Sequence, residues 1–354
     1  MLTQIVAGRT YSYSHCVGWG GGSGTGFTFP VAAALGADGL LYMINRGSES
    51  FSGVAWNETG NAARISMVTP GDNPGNEELA GEFSTYGDGD GEFIWGAGIA
   101  VDRQQNVYLT DEWLDRVSVF DRDGKFVRQW SVLEDGDEGP YGASGAAIDS
   151  DENLYVVGGR SHQVSRYNKD GRLLARWGSF GGGQNQLNSP WGVTIDQTGD
   201  LYVADHHNHR IQKFSPDGEW LAQFGNHDGG RGQLSYPTDV AVDLDGDVYV
   251  CDWTDNGYNP GRVQIFDPEG KFITSLTGDA QTLSKWGQEW VDANPDVIKA
   301  RRLVRSTEPE WRFAMPRGLV FDVDQSRLLV LDTQRCRIQI YDKLKHYDVP
   351  QINL

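Results

Sequence analysis

The chain has 354 residues and carries 49 acidic against 30 basic side chains, a formal net charge of −19. So acidic a surface repels phosphate backbones, which argues against general nucleic-acid binding and suits neutral, cationic or metal-ion partners. Its three cysteines, Cys16, Cys251 and Cys336, share no metal-ligand spacing and are too few for a disulfide framework. No apolar run approaches the roughly 20 residues of a membrane span, and the N-terminus shows no basic segment leading into an apolar one. No membrane contact, a cytoplasmic location and a monomer are the default expectations.

From the N-terminus, the first predicted strand covers residues 11–17. It runs into GWGGGSGTGFTFP, in which Gly18 precedes Pro30 by 12 positions. LLYMIN (40–45) then opens a series completed by NVYLTD (106–111), NLYVVG (153–158), DLYVAD (200–205), DVYVCD (247–252) and RLLVLD (327–332). Tyr108, Tyr155, Tyr202 and Tyr249 stand at a constant spacing of 47 residues. Around each member the same four strands recur. Strand a is of the GVTID type (192–196, 240–243, 319–322), strand b of the LYVAD type, and strand c of the RIQKF type (Arg116–Phe120, Arg210–Phe214, Arg262–Phe266, 337–341). Strand d ends in an aromatic and a glycine, as at Trp177-Gly178 and Phe224-Gly225. Asp-Gly pairs at 123–124, 170–171, 217–218 and 245–246 favour tight a–b and c–d hairpins.

One such unit cannot bury an apolar face alone, so neighbours must stack or close into a ring. Six antiparallel units repeated radially read as an all-β, six-bladed β-propeller occupying residues 1–354 as one domain. The regular junctions Gly178 to Pro190 and Gly225 to Pro237 have the same 12-residue length as Gly18 to Pro30. Residues 11–17 are therefore a strand d without its own a, b and c, and the last unit runs out after strand c. The first stretch is expected to complete the last blade and leave no open sheet edge. Two insertions break the rhythm. Tyr42 to Tyr108 spans 66 residues, 19 more than the repeat, mostly in the loops 46–63 and 69–86. Tyr249 to Leu329 spans 80, with 33 extra residues between blades 5 and 6. Within this insertion (about 279–312), residues 282–304 read as helical, with Leu283, Trp286 and Trp290 on one face. A lid over the loop-rich rim is the expectation; the alternative is a helix on the outer wall.

The segments NHRI (208–211), VAD (203–205), SPWGVTID and YPTDVAVD resemble the NHL-repeat family of six-bladed propellers over nearly the whole chain. That resemblance implies fold more than function, because such propellers serve as interaction platforms, sensor domains and a few enzymes. Blade 5 is similar to the family's peptidyl-hydroxyglycine amidating-lyase branch, whose zinc histidines follow the strand-a proline. Here the corresponding places hold Val31, Ser144, Trp191, Thr238 and Arg317, so a three-histidine zinc site is not expected.

The d–a and b–c loops share one face of a propeller, which allows the rim to be written out. The residues after the strand-a turn are Val31, Ala97, Ser144, Trp191, Thr238 and Arg317. Those after strand b are Arg46-Gly47, Glu112-Trp113, Gly159-Arg160, His206-His207, Trp253-Thr254 and Thr333-Gln334. Trp19, Trp56, Trp95, Trp113, Trp191 and Trp253 fall in or beside these loops; they are either ligand surfaces or packing between blades. Because a structural ring tends to repeat itself, ionisable groups that differ from blade to blade are the functional candidates. The leading reading is a small molecule or peptide bound in the central funnel, walled by Trp191, Trp253 and Trp113 and anchored by Arg317, Arg160, Arg46 and Glu112. The alternative is a lyase or hydrolase using His206 or His207 with Glu112 as acid–base groups, with a calcium ion in the funnel as a further option. A protein–protein platform is the third. The cofactor is otherwise open: Asp243-x-Asp245-Gly and Asp88-Gly-Asp90-Gly are only partial calcium loops, and the first also reads as a hairpin turn. The Asp ending strand b (Asp111, Asp205, Asp252, Asp332) is expected to secure loop amides.

Overall fold

A computed structural model describes residues 3–47, 62–134, 139–225, 232–254, 261–301 and 309–344. Six antiparallel sheets stand around one axis, each with its strand a innermost. Five have four strands. Blade 1 runs from Pro30–Leu35 to Glu78–Phe83, blade 2 from Gly96–Val101 to Phe126–Ser131, and blade 3 from Ala143–Ile148 to Leu173–Trp177. Blade 4 runs from Pro190–Ile195 to Trp220–Phe224 and blade 5 from Tyr236–Val242 to Phe272–Leu276. Blade 6 is built from both ends of the chain: Pro316–Asp322, Arg327–Asp332 and Arg337–Leu344, then Arg9–Val17, then Thr3–Val6 outermost. The N-terminal closure is as the junction lengths predict, with Tyr11 opposite Lys343 and Val17 opposite Ile338. The fifth strand, Thr3–Val6, and the extension of the last strand to Leu344 were not read from the sequence.

Strand b is buried along its whole length in Leu41–Asn45, Val107–Asp111, Leu154–Gly158 and Leu201–Asp205, because both of its faces pack on neighbouring blades. That is why it reads as a continuous apolar run rather than an alternation. The outer strand of blade 1, Glu78–Phe83, alternates between exposed and half-buried positions. The recurrent tyrosine also has a polar task. Its hydroxyl donates to the aspartate that ends strand a, as in Tyr108 to Asp102 (3.2 Å), Tyr155 to Asp149 (3.2 Å) and Tyr249 to Asp243 (2.7 Å). The aspartate ending strand b accepts a loop amide, as expected: Ile94 N–H to Asp111, Asn188 N–H to Asp205 and Ser235 N–H to Asp252, each 2.7 Å, and Ala314 N–H to Asp332 at 2.6 Å. Strand c binds the same carboxylate through Arg210 or Arg337 (both 2.8 Å) and Arg262 (2.9 Å).

Around the axis, each inner strand lies so close to the next that a side chain is excluded at one position. A Cβ on Gly98 would meet Ser144 O at 2.3 Å, and one on Gly145 would meet Trp191 O at 2.3 Å. Glycine or alanine stands at this position in five blades (Ala32, Gly98, Gly145, Gly192, Gly318).

The helical insertion is present as α1 (Lys285–Ala293) and α2 (Asp296–Arg301). Its described residues do not line the channel, which corrects the expectation of a lid. The apolar side of α1 settles on the outer seam between blades 6 and 1. Trp286 is buried there against Phe27, Trp290 stacks on Trp19 with ring centroids 4.8 Å apart, and Ser284 caps the helix while donating to Gly18 O at 2.7 Å. Leu283 stays exposed rather than joining that face.

The partial calcium loop at Asp243 has a different occupant. The Lys343 ammonium of blade 6 donates to Asp243, to Asp245 (2.9 Å) and to Asp247 (2.9 Å), while Arg9 grips Asp247 through two bonds of 2.6 Å. The cation is thus supplied by the chain, and it ties the closing blade to blade 5. Lys343→Met would leave three carboxylates facing one another, with two of them buried, so a loss of about 3–5 kcal/mol is expected at pH 7. Without the ammonium, Asp247 loses one of the two cations that hold its carboxyl below the usual range, and takes up a proton more readily in the folded state. The deficit should therefore shrink as pH falls towards 4, and thermal melts of both proteins at the two pH values test this. An equal deficit at both would show that the clasp is not electrostatic.

Candidate functional site at the channel mouth

A cavity of about 350 Å³ runs along the six inner strands. All six residues that follow the strand-a turn line it: Val31, Ala97, Ser144, Trp191, Thr238 and Arg317. Only two are large, and these two meet. The Arg317 guanidinium carbon lies 4.7 Å from the Trp191 ring centre. His206 stacks on Trp191 nearly parallel (9°) with centroids 4.1 Å apart, and Trp253 sets its edge against both rings. Blades 4, 5 and 6 thus build one aromatic and cationic corner, opposite the small Val31, Ala97 and Ser144.

The residues that follow strand b prove less varied in role than in chemistry. Arg46 Nε donates to Gly96 O (3.0 Å), His206 Nδ1 to Pro237 O (2.9 Å), Trp253 Nε1 to Pro316 O (2.8 Å) and Thr333 Oγ1 to Pro30 O (2.8 Å). In each case the acceptor is a carbonyl at the start of the next blade's inner strand. In blade 2 the Thr110 hydroxyl makes the corresponding bond to Ser144 O. Arg46, His206, Trp253 and Thr333 are therefore alternative donors for the same inter-blade bond, each worth about 0.5–1.5 kcal/mol net, so the difference in side chain at these four places has a structural account.

Because a carbonyl can only accept, His206 carries its proton on Nδ1 and presents Nε2 as an acceptor. Burial lowers its pKa to about 3, against the carbonyl bond that raises it, so the ring is neutral near pH 7. Asp239, one residue beyond Thr238, was not singled out in the sequence. It lines the channel, and desolvation pushes its pKa up to about 7. The signal was available: it takes the place of the Gly or Ala found in every other blade.

The NHL repeat family matches residues 187–214 and 234–266, which are strands of blades 4 and 5 with their leading loops. The chain is a six-bladed propeller that carries two stretches matching the NHL repeat. No curated protein sequence matches it at a significant level. Among solved structures, a structural-genomics protein of unknown function from Bacteroides thetaiotaomicron VPI-5482 is 16% identical, with a TM-score of 0.61 over 95% of this chain and 76% of that one. Virginiamycin B lyase from Staphylococcus aureus is 14% identical with a TM-score of 0.52, covering 88% of this chain and 80% of that one. A streptogramin B lyase is 14% identical with a TM-score of 0.53, covering 90% and 94%. At these identities the likeness is one of fold.

The remaining candidates of this propeller are dispersed. His207 is exposed beside His206, with centroids 4.8 Å apart. Glu112 pairs with Arg46 at 3.7 Å on the blade 1–blade 2 side, where Arg46 lies over Trp95. None of the contacts found joins Glu112 to His206 or His207. Trp113 is 47% exposed and Arg160 is exposed; neither lines the cavity. Trp56 lies outside the described residues. No helix among the described residues is long and apolar enough to cross a membrane.

The neutral state of His206 makes a test. A histidine whose folded pKa is depressed contributes fully above its ordinary value and progressively less as pH falls. Relative to His206→Gln, which has no proton to gain, the native protein should lose about 1.4 kcal/mol of stability per pH unit between 6.5 and about 3. Denaturant unfolding at several pH values reads this out, and parallel profiles for the two proteins would refute it.

Proposed function

We propose that this NHL propeller binds a small molecule, or one end of a peptide, at the mouth of its central channel. The observation that carries the reading is the convergence of Trp191 and Arg317, the two large residues among the six that follow the strand-a turns, at a cavity of about 350 Å³. That volume lies at the lower end of ligand pockets, which favours a small ligand or a single side chain. The Trp191 indole is held by the His206 ring stacked on it, the Arg317 guanidinium 4.7 Å from its centre and the Trp253 edge, so its position is fixed before any ligand arrives. Arg317 and the acceptor nitrogen of His206 provide complementary polar contacts.

Binding is preferred to lyase or hydrolase chemistry for a specific reason. His206 already spends its proton on Pro237, and Glu112 is engaged by Arg46 on another part of the rim. Likeness to streptogramin-type lyases at 14% identity lends shape, not chemistry. A channel calcium ion would draw on backbone carbonyls, since no three His, Cys, Asp or Glu side chains are grouped to share an ion among the described residues.

For any ligand found by screening the native protein, Trp191→Ala should weaken binding at least tenfold, about 1.4 kcal/mol. Trp113→Ala should leave it unchanged. Calorimetric titration of the three proteins checks both, and the reverse pattern would move the site away from the channel.

A further inference from the structure

We infer that Asp239 is the polar anchor of the channel and selects a ligand carrying an ammonium group. This rests on the channel-mouth reading above and gives its ligand a chemical class. Ring closure does not call for a carboxylate at this position, because the other five blades close with glycine or alanine. The carboxylate lies against the neighbouring inner strand: a Cβ on Gly192 would lie 2.2 Å from Asp239 Oδ1, besides meeting the backbone there. Two backbone donors then fix the carboxylate. Val240 N–H donates to Oδ1 at 2.9 Å, and Leu319 N–H of blade 6 donates to Oδ2 at 2.8 Å. Each oxygen retains a lone pair, and the residue is part of the channel lining and only half-buried.

The groups around it set its charge. Arg317 on the inner strand of blade 6 favours the ionised form, as do the two amides, but desolvation outweighs them. The neighbouring Cys251 thiol on strand b of the same blade is neutral, its pKa pushed well up by burial. His206 at the mouth is neutral too. A carboxylate left close to half-protonated near pH 7 gains from a partner that restores its charge, and a protonated amine does so while donating to the free lone pairs. The net charge of −19 draws such cations towards the protein. The largely aliphatic lining of the channel and the Trp191 indole at its mouth fit a compact amine with a planar or apolar substituent.

Three probes of one shape test this: benzylammonium, benzyl alcohol and benzoate, titrated calorimetrically at pH 6 and pH 8. The native protein should prefer benzylammonium and bind it roughly tenfold more tightly at pH 8, where Asp239 is ionised. Binding of the alcohol should not change with pH. Asp239→Asn should abolish both the amine preference and its pH dependence while leaving the alcohol unaffected. Asp239→Gly, which installs the residue of four other blades, serves the same purpose should the asparagine variant fail to fold. Equal affinity for amine and alcohol, or a pH dependence that survives both substitutions, overturns the assignment. Alcohol or benzoate binding that is lost in Trp191→Ala without any amine preference sinks the role of Asp239 but keeps the channel site. Absence of Trp191-dependent binding by all three probes removes both.

Discussion

Six inner strands pressed side by side leave space for little more than a hydrogen atom or a methyl group where each meets the next. Gly98 and Gly145 face neighbouring carbonyls so closely that no larger residue fits without moving the backbone. From that constraint the rest of the rim follows. With side chains excluded at one level, the residues one step towards the mouth become the channel wall. Residues at the end of strand b, or just after it, reach across to the next blade. In five of the six blades one of them hands a bond to its neighbour, through whichever donor its sequence supplies: a guanidinium, a hydroxyl, an imidazole or an indole.

This separates two kinds of irregularity that look alike in a sequence. Arg46, His206, Trp253 and Thr333 differ in charge and size, yet each serves a carbonyl of the next blade. Trp191, Arg317 and Asp239 differ from their counterparts with no shared task. They gather on three adjoining blades. The asymmetry that matters is therefore the kind left over once the carbonyl bond shared by those four donors has been set aside.

The architecture was legible because its determinants are periodic. A 47-residue spacing, a tyrosine that bonds the aspartate of its own hairpin, and an aspartate that holds a loop amide all recur with the blades. The closure was legible from one junction length. What could not be read was aperiodic or cross-chain. The amphipathic pattern of Lys285–Ala293 shows an apolar side but not which seam receives it, and Trp286 went to Phe27 rather than over the channel. The Asp243 loop resembles half of a cation site, and the missing half is Lys343, 100 residues away. At the rim the sequence lists which residues follow each strand but not what they touch, because a histidine beside a carbonyl and one beside a substrate have the same sequence. Asp239 was visible all along as a break in a column of glycines.

The seam between the two ends of the chain has a mechanical side. Thr10 lies opposite Leu344 and Val17 opposite Ile338, so the start of Arg9–Val17 and the end of the last strand meet at the same end of their ladder. Tension between the two flanking stretches would not shear that ladder along its length. It would peel the rungs one at a time, starting at Thr10, and the second rung carries Lys343 with its three aspartates. A ring joined this way opens like a zip with a catch near the top.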